Sequence, residues 1–172
     1  IALCRQWGYQ AFQATGSMVL ARLEQVRGNA VAAVEHMNIA EKLTKEHHFA
    51  FKYTVRVKCA LVRLWIAQGN LEKAAQIVQE SAITIHDEIP YLREPEFLAL
   101  LHLLLAQGNY DAAMLLSKRL LQKAETGKRI RRVIEVLVLQ ALIFQGRKET
   151  EQALAVLKRA LSLARPERYT RT

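Results

Sequence analysis

The chain has 172 residues, 51% of them apolar but only 7% aromatic, with 7 Gly, 3 Pro and a formal net charge of +9. Leu and Ala dominate, which argues against a strand-rich fold and for long helices packed through small side chains. No apolar run reaches the roughly 18 residues that a membrane span needs, since even the greasiest stretch, from Phe97, is broken by His102 and Gln107; a cytoplasmic chain with no membrane role is expected.

The N-terminus, Ile1-Ala2-Leu3-Cys4-Arg5, lacks an initiator Met and any signal-peptide pattern. The chain therefore reads as an excised piece, with residues 1–7 the last turns of an upstream helix. The apolar period predicts first helices near 9–27, 50–68, 95–107 and 128–145, followed by second helices near 30–46, 71–85, 110–125 and 150–164. Between the second and third pairs, the segment from His86 to Pro95 holds two prolines that exclude a continuous helix, and Pro95 can open the next one at its first position. Arg165-Pro166 ends the last helix, leaving 166–172 as a tail toward a further domain.

These elements repeat. Leu23 to Asn29, Leu64 to Asn70, Leu103 to Asn109 and Ala141 to Arg147 align, with Gly28, Gly69, Gly108 and Gly146 separated by 41, 39 and 38 residues. Each glycine follows one helical pattern and precedes another, which suits a left-handed residue just past a helix C-terminus. Asn29, Asn70 and Asn109 can then cap the following helix. Five residues after the first three glycines come Ala33, Ala74 and Ala113, small enough for close approach of the two helices; in the fourth unit Ala153 falls two places late, which predicts a longer turn. One hairpin cannot bury its apolar face alone, but stacked neighbours can. The expected fold is all-α: a single domain over 1–172, a right-handed superhelix of about four antiparallel two-helix repeats with first helices lining its concave surface.

A hairpin with Gly-Asn-x-x-x-Ala at its turn resembles the tetratricopeptide repeat (TPR), although these units are longer than the usual 34 or so residues. Tyr91 to Glu96, Leu103 to Gly108, Arg132 to Leu142 and the ending from Ala160 to Arg171 resemble the helical-repeat region of MalT-like, ATP-dependent LuxR-family transcriptional regulators, and the likeness covers nearly the whole chain. Arg168 departs from it, standing where a small residue is expected. The resemblance implies an effector-sensing segment that receives a small-molecule inducer or a regulatory protein and passes the information to self-association. It places ATP binding in an upstream domain and DNA contact in a downstream helix-turn-helix. A generic TPR scaffold that binds peptides or partner proteins is the alternative.

Chemistry-bearing motifs are otherwise missing. No GxxxxGK[ST] phosphate loop occurs, so no cofactor is expected in this chain. His47 and His48 are adjacent and diverge on a helix, while His36, His86 and His102 lack ligand partners one turn away, so no metal site is expected. Cys4 and Cys59 fall in apolar patterns and read as buried free thiols. Glu94 and Glu96 flank Pro95 and suit first-turn helix charge better than paired acid/base chemistry. With no nucleophile and base at a usable spacing, the chain is not expected to be an enzyme.

Two features are candidates for recognition. Residues 1–114 hold 11 basic and 11 acidic side chains and residues 115–172 hold 14 and 5, so the whole excess is C-terminal. Without interleaved aromatics, Lys118, Arg119, Lys123, Arg131, Lys158 and Arg159 read as solvated helix faces rather than a nucleic-acid surface. RNA readout would need base-reading pairs at fixed positions, and only one polar row recurs. Counting six residues back from each glycine gives that row: Arg22, Arg63, His102 and Gln140, with Thr15 and Arg56 about two turns before the first two members. It is either a ligand-binding ladder or, as amphipathic helices ordinarily provide, a solvated stripe. Trp65 is expected in inter-repeat core.

Overall fold

The computed structural model describes residues 9–165, so the expectations for 1–7 and for the 166–172 tail lie outside the described residues. Every regular element within them is helical: α1 (Gln10–Val26), α2 (Ala30–Glu46), α3 (Phe51–Ala67), α4 (Leu71–Gln79), α5 (Glu94–Ala106), α6 (Tyr110–Thr126), α7 (Ile130–Gly146) and α8 (Thr150–Ala164), with one 3-10 turn at Tyr91–Arg93. Among the described residues no helix is long and apolar enough to cross a membrane. The chain forms two compact units, Ile1–Ala82 and Ile83–Thr172.

In the first unit α1 packs on α2, α2 on α3 and α3 on α4. Met37, Leu61 and Leu64 form the centre of its core with Ala14, Ala21, Ala33 and Ala40, and Trp65 packs against this cluster from the edge. The Lys73 ammonium sits 4.3 Å from the Trp65 ring centroid, a cation–π contact that caps the exposed side of the indole. In the second unit α5 packs on α6, α6 on α7 and α7 on α8. Phe97, Leu101, Leu116, Leu120, Leu137 and Ile143 are its fully buried large side chains.

The turn between the helices of each hairpin follows from its sequence. Gly28, Gly69 and Gly108 have φ of +81°, +75° and +73°, where a Cβ is strained. Asn29, Asn70 and Asn109 accept hydrogen bonds from the N–H groups of Ala32, Lys73 and Ala112 at 3.3, 3.1 and 3.4 Å. Ala33, Ala74 and Ala113 are completely buried at the helix crossings.

The fourth hairpin differs from its reading in sequence. Gly146 is the last residue of α7, and the left-handed residue is Lys148, at φ +64°. The closing bonds, Lys148 N–H to Gln145 O and Glu149 N–H to Phe144 O at 2.9 Å each, match Gly28 to Gln25 and Asn29 to Glu24 in the first turn. The turn is therefore of ordinary length, and Ala153 stands five residues after Lys148 just as Ala33 does after Gly28. Replacing Lys148 with glycine should stabilise the chain by about 1 kcal/mol, because it relieves a left-handed Cβ. Gly108→Ala should destabilise it by about as much. Paired thermal melts of the two variants check both signs.

Gly146 is retained for another reason. A Cβ there would meet the Tyr110 ring at its Cε1, Cζ and hydroxyl. Gly146→Ala should therefore displace the ring and cost about 1 kcal/mol. With Tyr110→Ala already in place, the same change should become stabilising by up to about 1 kcal/mol, since only the helix-propensity gain remains. A double-mutant cycle in urea reads this reversal of sign.

The other difference is α4, predicted to run to about residue 85 but ending at Gln79, with Ala82 at φ +47°. Ile83-Thr84-Ile85 are β-branched and disfavour helix, and Asp87 offers the backbone an alternative by accepting from the Thr84 N–H at 2.6 Å. That bond holds the Asp87 carboxyl below its ordinary pKa. Ile89 anchors the segment in the core. Pro95 is the second residue of α5 rather than its first.

Candidate functional site

The polar row does not have one environment. In the first unit Arg22 on α1 and Arg56 and Arg63 on α3 are exposed, and Arg56 and Arg63, seven residues apart, share one face of α3. Thr15 and Arg56 come together at a narrow crevice that Tyr53, Phe49, Met18 and Thr44 also line. The Thr15 hydroxyl is turned inward, donating to the Ala11 carbonyl at 2.9 Å. The crevice thus carries a single guanidinium, that of Arg56, beside the aromatic edge of Phe49 and Tyr53.

In the second unit the row breaks. His102 on α5 is half-buried and its Nε2 is withdrawn from solvent. Gln140 on α7 is buried, and its amide donates to the Ser117 hydroxyl of α6 at 3.2 Å, which in turn donates to the Met114 carbonyl at 2.9 Å. The displaced turn explains this. Counted from the left-handed Lys148, the residue six back is Leu142, which is exposed, while Gln140 lies eight back and faces the core. Aligning on Gly146 put Gln140 two residues out of register, so its place in the row is corrected: it satisfies a polar pair between two packed helices.

A polar cluster that the sequence reading passed over lies at the start of α5. Glu94 is 2% exposed and its carboxylate takes an ion pair from Arg129 and another, at 2.6 Å, from Arg132. Arg132 also pairs with Glu135, and Arg93 with the buried Glu96 at 2.6 Å. The Arg129 guanidinium lies 5.5 Å from the Tyr91 ring centroid. Glu94 and Glu96 do stand in the first turn of α5, where the helix dipole favours negative charge; Arg129, just before α7, and Arg132, in its first turn, add a clamp from 35 or more residues downstream, which no local pattern announces. Arg119 holds the preceding segment by donating to the carbonyls of Ile85 and Asp87. Part of the C-terminal positive charge is thus internal: Arg119, Arg129 and Arg132 bind other parts of the unit, and Arg147 and Arg159 pair with Asp111 and Glu125. Lys118, Arg131 and Lys158 remain exposed.

Among the described residues no group of three or more His, Cys, Asp or Glu gathers as a metal site. Cys59 is a half-buried thiol, and Cys4 is outside the described residues.

The MalT-like TPR region family matches this chain over residues 1–172. The chain belongs to that family. No curated protein and no solved structure matches it. Two parts of this MalT-like TPR region differ in surface chemistry: α1 and α3 carry the exposed Arg22, Arg56 and Arg63, and α8 has an apolar groove lined by Leu154, Leu157, Lys158, Leu161, Ser162 and Arg165.

Proposed function

We propose that this chain is the effector-sensing and protein-interaction repeat region of a LuxR-family, MalT-like bacterial transcriptional regulator. The observation that carries the reading is family membership along the whole chain. In this reading the chain is cytoplasmic, performs no catalysis and holds no cofactor; nucleotide and DNA are handled by other domains. Its own part is to bind an inducer or a regulatory protein and to alter self-association.

The ligand-facing residues in this reading are Arg22, Arg56 and Arg63, whose exposed guanidinium groups suit a polar or anionic ligand. A ligand shifts the regulator only through its difference in affinity for two arrangements of the repeats. Thermal-shift screening against sugars, small metabolites and nucleotides tests this. At a hundredfold excess over Kd, a specific ligand should raise the melting temperature by roughly 5–10 °C. The shift should vanish in Arg56→Ala/Arg63→Ala and persist in His102→Ala. A ligand that stabilises the double variant equally well, or that binds without changing the sedimentation coefficient of the full-length regulator, would defeat the sensing reading and favour a plain TPR scaffold.

A further inference from the structure

Among the second helices of the hairpins α4 stands apart. Its counterparts α2 and α6 have 17 residues each and α8 has 15, whereas α4 stops after 9. The helical period of the sequence runs on past that end. After the buried Ala74 and Val78 come Ala82 and Ile85, four and seven residues beyond Val78. The β-branched run Ile83-Thr84-Ile85 weakens a helix without forbidding one, since α7 carries Val133, Ile134, Val136 and Val138 through its middle.

The path that replaces a longer α4 is strained and held from outside. Ala82 sits at φ +47°, where a residue with a Cβ is disfavoured. The Thr84 N–H donates to the Asp87 carboxylate at 2.6 Å, which diverts it from the Glu80 carbonyl that helical geometry would offer. Arg119 of α6, 34 residues beyond Ile85, donates to the carbonyls of Ile85 and Asp87, the second at 2.6 Å, and so pins both residues on the non-helical path.

We infer that residues 80–85 form a two-state segment, a turn while Arg119 holds it and a helical continuation of α4 once that hold is released. In the released state Ala82 leaves the left-handed region, and the N–H groups of Ile83, Thr84 and Ile85 bond to the carbonyls of Gln79, Glu80 and Ser81. The stretch between α4 and α5 thereby has two lengths, and any ligand or partner with different affinities for the two forms shifts the balance between them. Arg119 is a positioning residue in this device, acting on the backbone alone.

Nuclear magnetic resonance of the whole chain tests it, through the Cα chemical shifts of Ile83 and Ile85 and the exchange rates of their amide hydrogens. Arg119→Ala should move both shifts to helical values and slow exchange of both amides at least about tenfold. Adding Ala82→Gly, which favours the left-handed turn and disfavours helix, should return the segment to the turn. Should Arg119→Ala not fold, Arg119→Lys keeps the charge but loses the planar fork that reaches two carbonyls, and it should shift the same signals in the same direction. Non-helical shifts with faster exchange in the folded Arg119 variant would overturn the proposal, as would helical shifts that Ala82→Gly does not reverse.

Discussion

Glu94→Ala should destabilise the second unit by about 3 kcal/mol, because it removes the buried carboxylate that Arg129 and Arg132 share and leaves Arg132 only its pair with Glu135. Arg129 and Arg132 are each 26% exposed, so solvent returns part of the loss and holds the effect at the lower end of what breaking a buried pair costs. Glu94→Gln should recover some of it by keeping the shape and an acceptor. Arg129→Ala should cost less, since Arg132 still answers the carboxylate. Urea unfolding of the four proteins, followed by far-ultraviolet circular dichroism, orders them. A Glu94→Ala protein within about 0.5 kcal/mol of the parent would show that the clamp contributes little.

Ala113→Leu should have a comparable effect, about 3 kcal/mol, by a different route. Its Cβ is completely buried where α6 crosses α5, so three added carbons have no space and must push the helices apart. The same substitution at the half-buried Ala153 should cost about 1 kcal/mol or less. A small difference between the two positions would mean that the crossings are looser than their burial indicates.

The hairpins were legible because they rest on local chemistry. A left-handed glycine, an asparagine cap and a small residue at the crossing all fall within seven consecutive positions, and the helix bounds of α2 and α8 coincide with those read from the apolar period. The fourth turn misled because Gly146 resembles its three counterparts in sequence while answering to the Tyr110 ring; Lys148 took the left-handed role with a side chain that ordinarily avoids it. That two-residue slip carried Gln140 into the binding row. The shortening of α4 is signalled by the β-branched run Ile83-Thr84-Ile85, which follows the last turn of its apolar face. The clamp on Glu94 and the hold of Arg119 on the Ile85 carbonyl were not legible, since both join residues more than 30 apart and depend on how hairpins stack.

The order of packing within each unit bears on how the chain reaches this state. Helices mostly meet the helices next to them in sequence, so few long loops must close before burial begins to reward folding. Proteins with such local contact maps fold in microseconds to milliseconds. Each hairpin can form as soon as its two helices exist, and the clamp from α7 to Glu94 can close only after α6 has docked. Refolding of the second unit should accordingly run from hairpin formation to a late locking step, in which Arg129 and Arg132 reach the carboxylate.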